Sequence, residues 1–239
     1  MNLVADMGNS RTKLFVIDDV RILHSAIYNT VSDAENILSL FPQIRNGIYS
    51  VSGEEPRELQ DFLTHRLDNY IRFTSNVTVP IGNLYESQET LGADRLAAAV
   101  GVNRFFPNTN VAIFDFGTAI TIDFIDNENN FRGGNISPGL SIRFKALNYF
   151  TNKLPLLSAT EKIREIGTTT QSAIETGVIQ GIIGETMSYI TKYSDHKIIF
   201  TGGDSFYFAK KIKSPIFVFQ NPIVYGLNKI LLYSCKTTD

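Results

Sequence analysis

Two short segments hold the residue types that a phosphate-handling site needs. Asp6-Met7-Gly8-Asn9-Ser10-Arg11-Thr12 and Asp115-Phe116-Gly117-Thr118-Ala119-Ile120-Thr121 share the pattern Asp-x-Gly-[Asn/Thr]-small-x-Thr. They begin 109 residues apart, close to half of the 239-residue chain. Apolar runs lead into and out of each, and Gly between two such runs signals a hairpin, because Gly can adopt the positive φ of a tight turn. Such turns expose consecutive backbone amides that can bind phosphate oxygens. Ser10, Thr12, Thr118 and Thr121 add hydroxyl donors, and Lys13 adds a mobile cation. The leading carboxylates, Asp6 and Asp115, are suited to hold a metal ion or its waters. A single Asp-x-Gly is most often an ordinary turn. Two copies at half-chain spacing favour the phosphate reading.

Leu91-Gly92-Ala93-Asp94-Arg95 stands before the helical run Leu96 to Val100. Asp94 is thereby expected in a first helical turn, where the positive dipole end favours its ionised form. A carboxylate so placed can accept a proton from a hydroxyl; equally, it can simply cap the helix. Gly133-Gly134-Asn135-Ile136-Ser137-Pro138-Gly139 reads as a loop feeding a helix, either lining a pocket or serving as punctuation. Thr201-Gly202-Gly203-Asp204 ends an apolar strand, a usual place for a nucleotide contact. Gly177, Gly181 and Gly184 recur on one helical stretch, where they would allow close packing within the chain or across a dimer. His24, His65 and His196 belong to no motif.

The elements that must position these groups follow from periodicity. After the first hairpin come a strand at 21–28, a helix at 31–40, a strand at 47–51 and a helix at 56–67. A strand at 70–74 and a helix at 93–106 follow. The second half has two strands around Gly117, a third near 130–136, and helices near 140–150 and 171–193. A strand at 197–201, a helix at 205–212, a strand at 216–219 and a helix at 223–234 complete it. Each half is three meandering strands followed by alternating helices and strands. That predicts an α/β fold of two mixed sheets flanked by helices, with domains at 1–110 and 111–239.

Composition narrows the partners. Twenty-two Lys+Arg against 24 Asp+Glu give a net charge of −2, which argues against nucleic acid or an anionic membrane. Hydrophobic residues at 43% and charged residues at 19% fit a globular domain. One cysteine precludes an internal disulfide, and with three histidines a Cys/His metal cage is out of reach. No apolar run approaches a membrane span, and the N-terminus lacks a signal pattern, so a cytoplasmic location is expected.

Taken together, DMGNSRTK, LGADR, DFGTAITID, GGNISPG, IGTTTQSAIETG and TGGD closely resemble the type III pantothenate kinases. These belong to the acetate and sugar kinase/Hsp70/actin superfamily of duplicated, ribonuclease H-like α/β domains. The motifs span Asp6 to Asp204 in the family's order. The resemblance implies ATP-dependent phosphorylation of pantothenate to 4'-phosphopantothenate, the first step toward coenzyme A. It further implies that Asp6, Met7, Gly8, Asn9, Ser10, Arg11, Thr12, Lys13 and Thr118 bind ATP, with Asp94 as general base. Tyr85, Gly92, Ala93, Asp94, Arg95 and Thr170 would bind pantothenate, Thr170 reaching it across a homodimer interface. Asp115 would hold a monovalent cation, potassium or ammonium, and magnesium would accompany ATP.

Two positions depart from, or blur, the family pattern. Gln88 stands where the family often has Pro, three residues after the pocket tyrosine. Thr168-Thr169-Thr170 offers three hydroxyls, among which register selects Thr170. Rival readings are a related sugar or acid kinase, a non-catalytic regulator, and an actin-like filament protein. Retention of Asp94, Lys13 and both turns disfavours the regulator, and polymerisation would mark the filament.

Overall fold

In the computed structural model all residues are described except 9, 10, 75 and 237–239. The chain divides into two compact units: Met1–Asn108 with Ile125–Arg132 and Asn221–Asp239, and Thr109–Phe124 with Gly133–Gln220. The C-terminal helix thus groups with the N-terminal unit, whereas the sequence suggests a cut at 110/111.

The first unit is built on β1 (Asn2–Met7), β2 (Thr12–Asp18), β3 (Arg21–Tyr28), α1 (Val31–Leu40), β4 (Asn46–Val51), α2 (Arg57–Arg66), β5 (Asn69–Arg72), β6 (Gly82–Asn83) and α3 (Ala93–Phe105). Its sheet runs β3-β2-β1-β4-β5, antiparallel through the hairpin and parallel beyond it. Strand alternation gives β1 two different faces. Leu3, Ala5 and Met7 join Leu14 and Val16 in a core closed by Ile37 of α1 and Leu59 and Leu63 of α2. The opposite face carries Asn2, Val4 and Asp6; there the Asn2 amide donates to Asn228 Oδ1 at 2.7 Å.

Helix ends are set locally. Asp33 accepts from the Asn29 and Thr30 amides at 2.7 and 3.0 Å and closes a capping box that starts α1. Those two amide bonds hold the Asp33 carboxyl below its ordinary pKa. α3 is buried almost all round, from Arg95 to Val102, so it sits inside the unit rather than on it. It crosses α7 (Pro222–Lys236) at two glycines. A Cβ on Gly101 would lie 1.9 Å from the Pro222 carbonyl oxygen, and one on Gly226 would lie 1.8 Å from that of Ala97.

The second unit contains β7 (Val111–Phe116), β8 (Ala119–Ile125), β9 (Asn130–Pro138), α4 (Leu140–Phe150), α5 (Thr170–Lys192), β10 (Lys197–Thr201), α6 (Ser205–Ala209) and β11 (Ile216–Val218). Its strand order is β11-β10-β7-β8-β9. The first residues of β9, Asn130 and Phe131, pair with β6 inside the first unit. Phe114, Phe116, Phe200 and Phe208 pack in the core beside Phe144, Ile179 and Ile182, with Phe116 stacked on Phe208 and edge-on to Phe200.

Two expectations are corrected, and two short elements are added. The strand expected near 130–136 is present and runs on to Pro138, so the 133–139 segment also read as a loop is strand up to Pro138. A Cβ on Gly134 would sit 1.9 Å from the Ile122 carbonyl oxygen, so glycine admits the neighbouring strand. The helix expected at 205–212 stops at Ala209, although Phe208 and Ile212 keep their apolar positions in the core. β6 and the 3₁₀ turn at Gln88–Thr90 have no strong periodic signal and were not expected.

Candidate functional site

The first hairpin places Asp6 directly opposite Lys13, and Met7 opposite Thr12. The turn is closed by the Gly8 amide donating to the Arg11 carbonyl at 3.2 Å, so this amide is engaged within the turn. The Ser52 and Gly53 amides both donate to the Met7 carbonyl, at 2.9 and 3.2 Å, and fix the hairpin against the end of β4. Gly8, Arg11, Thr12, Ser52, Gly53 and Glu54 border a cleft of about 590 Å³. Asn9 and Ser10 lie outside the described residues.

Burial pushes the Asp6 carboxyl up to about 6; the Lys13 cation opposes this and the Asp94 charge adds to it. Asp6, Lys13 and Asp94 therefore form one electrostatic group within the first unit. Asp94 is the second residue of α3, after the N-cap Gly92. Its Oδ1 accepts from the Arg95 amide at 2.8 Å. A Cβ on Gly92 would lie 2.7 Å from that same oxygen, so glycine leaves room for the carboxylate to fold back. Asp94 thus caps the first turn with one oxygen, and its carboxylate remains half-buried beside the hairpin.

Arg95 is only 7% exposed. Its guanidinium lies 5.6 Å from the centre of the Tyr85 ring and 6.0 Å from that of Phe131, within cation–π range. Tyr85 is tethered by its amide donating to Asn83 Oδ1 at 3.2 Å, and Gln88 donates to the Asn83 carbonyl at 3.1 Å. Gln88, the departure from the family pattern, thereby folds the 83–88 segment that presents Tyr85. Phe131 had no sequence signal, because it reaches this cluster only through the pairing of β6 with β9.

In the second unit the Gly117 amide donates to the Ala119 carbonyl at 3.1 Å, closing a two-residue turn. Thr118 is exposed; its carbonyl accepts the Gly139 amide at 3.1 Å. A Cβ on Gly139 would lie 2.3 Å from the carbonyl oxygens of both Gly117 and Thr118. Gly202, at φ +88° directly after β10, packs against the strand end that leads into this turn; its Cβ would lie 2.4 Å from Asp115 Oδ1 and 2.7 Å from the Phe116 backbone. The Asp204 amide donates to the Phe116 carbonyl at 3.1 Å. The motifs at 115–121, 137–139 and 201–204 therefore converge on one backbone knot. Asp204 also borders a cleft of about 830 Å³ with Ser141, Lys145, Thr160, Gln171 and Glu175, and burial raises its pKa.

The three threonines separate by partner. Thr168 accepts from Arg164 at 3.2 Å, and Thr169 caps α5 in a reciprocal pair with Ser172. Thr170 is exposed and lines an apolar cleft of about 860 Å³ with Arg143, Leu147, Phe150, Ala173 and Gly177. Packing of α5 glycines within the chain is not observed at Gly177 and Gly184, where a Cβ would meet nothing within 4 Å. His65 is exposed, with Nδ1 2.6 Å from the Asp61 carbonyl, and His196 contacts Asp195 and two aromatic rings. Among the described residues no helix is long and apolar enough to cross a membrane, and none of the clusters has three His, Cys, Asp or Glu side chains placed for a metal.

Comparison with known proteins gives this geometry a family. The sequence model of type III pantothenate kinase matches residues 2–192. A type III pantothenate kinase from Phocaeicola vulgatus is 39% identical, covering 99% of this chain and 100% of its own length. One from Cytophaga hutchinsonii is 36% identical over 98% of this chain and all of its own. Among solved structures, a Campylobacter jejuni protein described as a candidate Baf family transcriptional activator superposes with a TM-score of 0.64 at 22% identity, covering 98% of this chain and 99% of that one. Component A of (R)-2-hydroxyglutaryl-CoA dehydratase from Acidaminococcus fermentans gives 0.52 at 12% identity, covering 100% and 99%. At such identities these structures speak to the fold alone, and they agree with the expected pair of helix-flanked mixed sheets. The full-length relatives and the matched model carry more: this chain belongs to the type III pantothenate kinase family.

Proposed function

We propose that this chain transfers the terminal phosphoryl group of ATP to the primary hydroxyl of pantothenate, with Asp94 as the general base. Family membership supports the reaction, and one observation supports the assignment of the base. Asp94 is a carboxylate whose charge acts on Asp6 and which lies next to the Arg95–Tyr85 pair. A primary hydroxyl is a poor nucleophile at neutral pH. Phosphoryl transfer passes through a loose transition state, so positioning and charge neutralisation carry most of the acceleration and the base assists.

In this reading Asp6 through Lys13 and Thr118 contact the ATP phosphates, and Gly92, Ala93, Arg95 and Tyr85 border the pantothenate site. Magnesium would come with ATP. One partly buried carboxylate, Asp6, fits an ion that takes few protein ligands and keeps phosphates and water; when bound it supplies charge neutralisation. Asp115 would hold potassium or ammonium: one of its carboxylate oxygens lies close to the Gly202 backbone, where a Cβ would come within 2.4 Å of it. Turnover should then rise steeply when potassium replaces sodium, and equal rates in the two salts would remove this assignment. The halves 1–110 and 111–239 are read as the two copies of a duplicated unit. The enzyme works in the cytoplasm as a homodimer, with neither nucleic acid nor membrane as a partner. The unpartnered Gly177 and Gly184 and the open cleft beside Thr170 support the dimer.

The test is steady-state ADP release with pantothenate, alongside acetate and a sugar panel, for wild type and Asp94→Asn. Turnover is expected with pantothenate, with kcat about 10²–10⁴ lower in the variant and ATP affinity retained by titration. Turnover with a sugar but not with pantothenate would replace the substrate assignment. A kcat for Asp94→Asn within about threefold of wild type, below the range of a general base, would leave Asp94 as a cap.

A further inference from the structure

Arg143 is the third residue after Leu140, which begins α4, and no motif includes it. Its Nε donates to the Pro138 carbonyl at 2.8 Å, and an Nη reaches Ser137 Oγ at 3.4 Å. The same Nη pairs with the Glu185 carboxylate of α5. Both side chains are largely shielded, at 21% and 26% exposure. An arginine fork can hold a carbonyl and a carboxylate at once because its donors are rigid and coplanar, which a lysine cannot reproduce.

What this fork holds is the joint between β9 and α4. Pro138 precedes Gly139, whose amide donates to the Thr118 carbonyl and whose α-carbon lies flush against Gly117 and Thr118. Displacement of the Pro138 carbonyl would carry Gly139 with it and release the back of the Thr118 turn. The guanidinium also lies under α5, since its other Nη would be 3.5 Å from a Cβ on Gly181.

We infer that Arg143, braced by Glu185, is a positioning residue that fixes the Thr118 turn for the ATP phosphates by holding Pro138–Gly139 against its back. The inference rests on the reading that Thr118 contacts phosphate. Arg143 also lines the cleft beside Thr170, which makes direct recognition of the pantothenate carboxylate the competing role. Its charge is already met by Glu185 and the Pro138 carbonyl, so the positioning role is favoured.

The experiment is steady-state kinetics on Arg143→Met, Arg143→Lys, Thr118→Ala and the double variant Arg143→Met/Thr118→Ala, each checked for folding by circular dichroism. Arg143→Met is expected to raise KM for ATP about tenfold, the size of one charge-assisted hydrogen bond, with KM for pantothenate unchanged. Arg143→Lys, which keeps the ion pair and loses the fork, should show a smaller rise and serves if the Met variant does not fold. The double variant should be no worse than Thr118→Ala, because both changes act through one turn. Full additivity, or a rise confined to KM for pantothenate, overturns the inference. A normal KM for ATP in Thr118→Ala removes the phosphate reading and the inference with it. A raised KM there, with Arg143→Met and Arg143→Lys unchanged, removes the inference alone.

Discussion

The two Asp-x-Gly turns share a sequence pattern and are held by different forces. At the first, four residues link β1 and β2, and the leading Asp6 faces Lys13 and the Asp94 charge. At the second, two residues link β7 and β8, and the glycines that directly follow β9 and β10, Gly139 and Gly202, pack against the turn and its lead-in strand. A Cβ at Gly8 would make an ordinary 3.5 Å contact, and one at Gly117 would too. The glycines inside the turns are therefore the tolerant ones. Among the glycines enclosed by close packing, Gly139 and Gly202 support the second turn, whereas Gly101 and Gly226 serve the α3–α7 crossing and Gly134 the approach of β8. The first turn is fastened by backbone hydrogen bonds to the end of β4 beside a group of charges, the second by close packing.

The largest expected effect breaks the packed turn. Gly202→Ala combines a positive φ with a clash against Asp115 and the Phe116 backbone. It should cost about 3 kcal/mol or more, read by urea denaturation. Gly139→Ala should cost about as much, whereas Gly8→Ala should stay within about 1 kcal/mol. Similar losses at Gly8 and Gly139 would erase the distinction between the turns.

The next effect sharpens the charged turn. The Asp6 carboxyl is raised from 3.8 to about 6 in the folded protein, so the folded state binds its proton more tightly than the unfolded chain. Its contribution to stability is fully present below pH ~4 and is lost as pH rises through about 6. Relative to Asp6→Asn, the ligand-free wild type should lose on the order of 2–3 kcal/mol between pH 4 and 7.5. The comparison with the variant cancels carboxylates such as Asp33 and Asp126, whose pKa values move down. A difference that does not vary with pH would place no titration at Asp6. No matching pH effect is expected for Gly139→Ala.

The smallest effect concerns the α5 glycines. In an isolated subunit Gly177→Ala should add roughly 0.5–1 kcal/mol through helix propensity, since nothing lies within 4 Å of the new methyl. If the face meets a second subunit, that gain should be absent and the dimer should weaken by sedimentation. A stabilised variant with unchanged association would move the interface off this face.

Much of the molecule was legible as pattern. The helices at 31–40 and 140–150 and the strand at 197–201 fall where the sequence pattern set them; the strand is a short apolar run buried on both faces. Asp94 was placed in a first helical turn from LGADR alone, where the structure also has it. Of the two readings of Gly133-Gly134, strand near 130–136 and loop at 133–139, packing decided for the strand. Paired glycines usually mark a loop, but here Gly134 is small so that β8 can approach. Register alone selected Thr170, and the structure adds that Thr168 and Thr169 already have side-chain partners.

The sequence by itself determined the alternation of elements, the duplicated turns, the family and the residue types available for phosphoryl transfer. These depend on local periodicity and on motifs that are contiguous in the chain. Only the tertiary structure decided that Asp6 would share its field with Asp94, that Phe131 would stand beside Arg95, and that Gly139 and Gly202 would brace one turn. It alone brought Arg143 to Glu185, 42 positions away. Such pairings depend on strand order and helix crossing, where packing and burial set the distances, and no spacing along the chain encodes them.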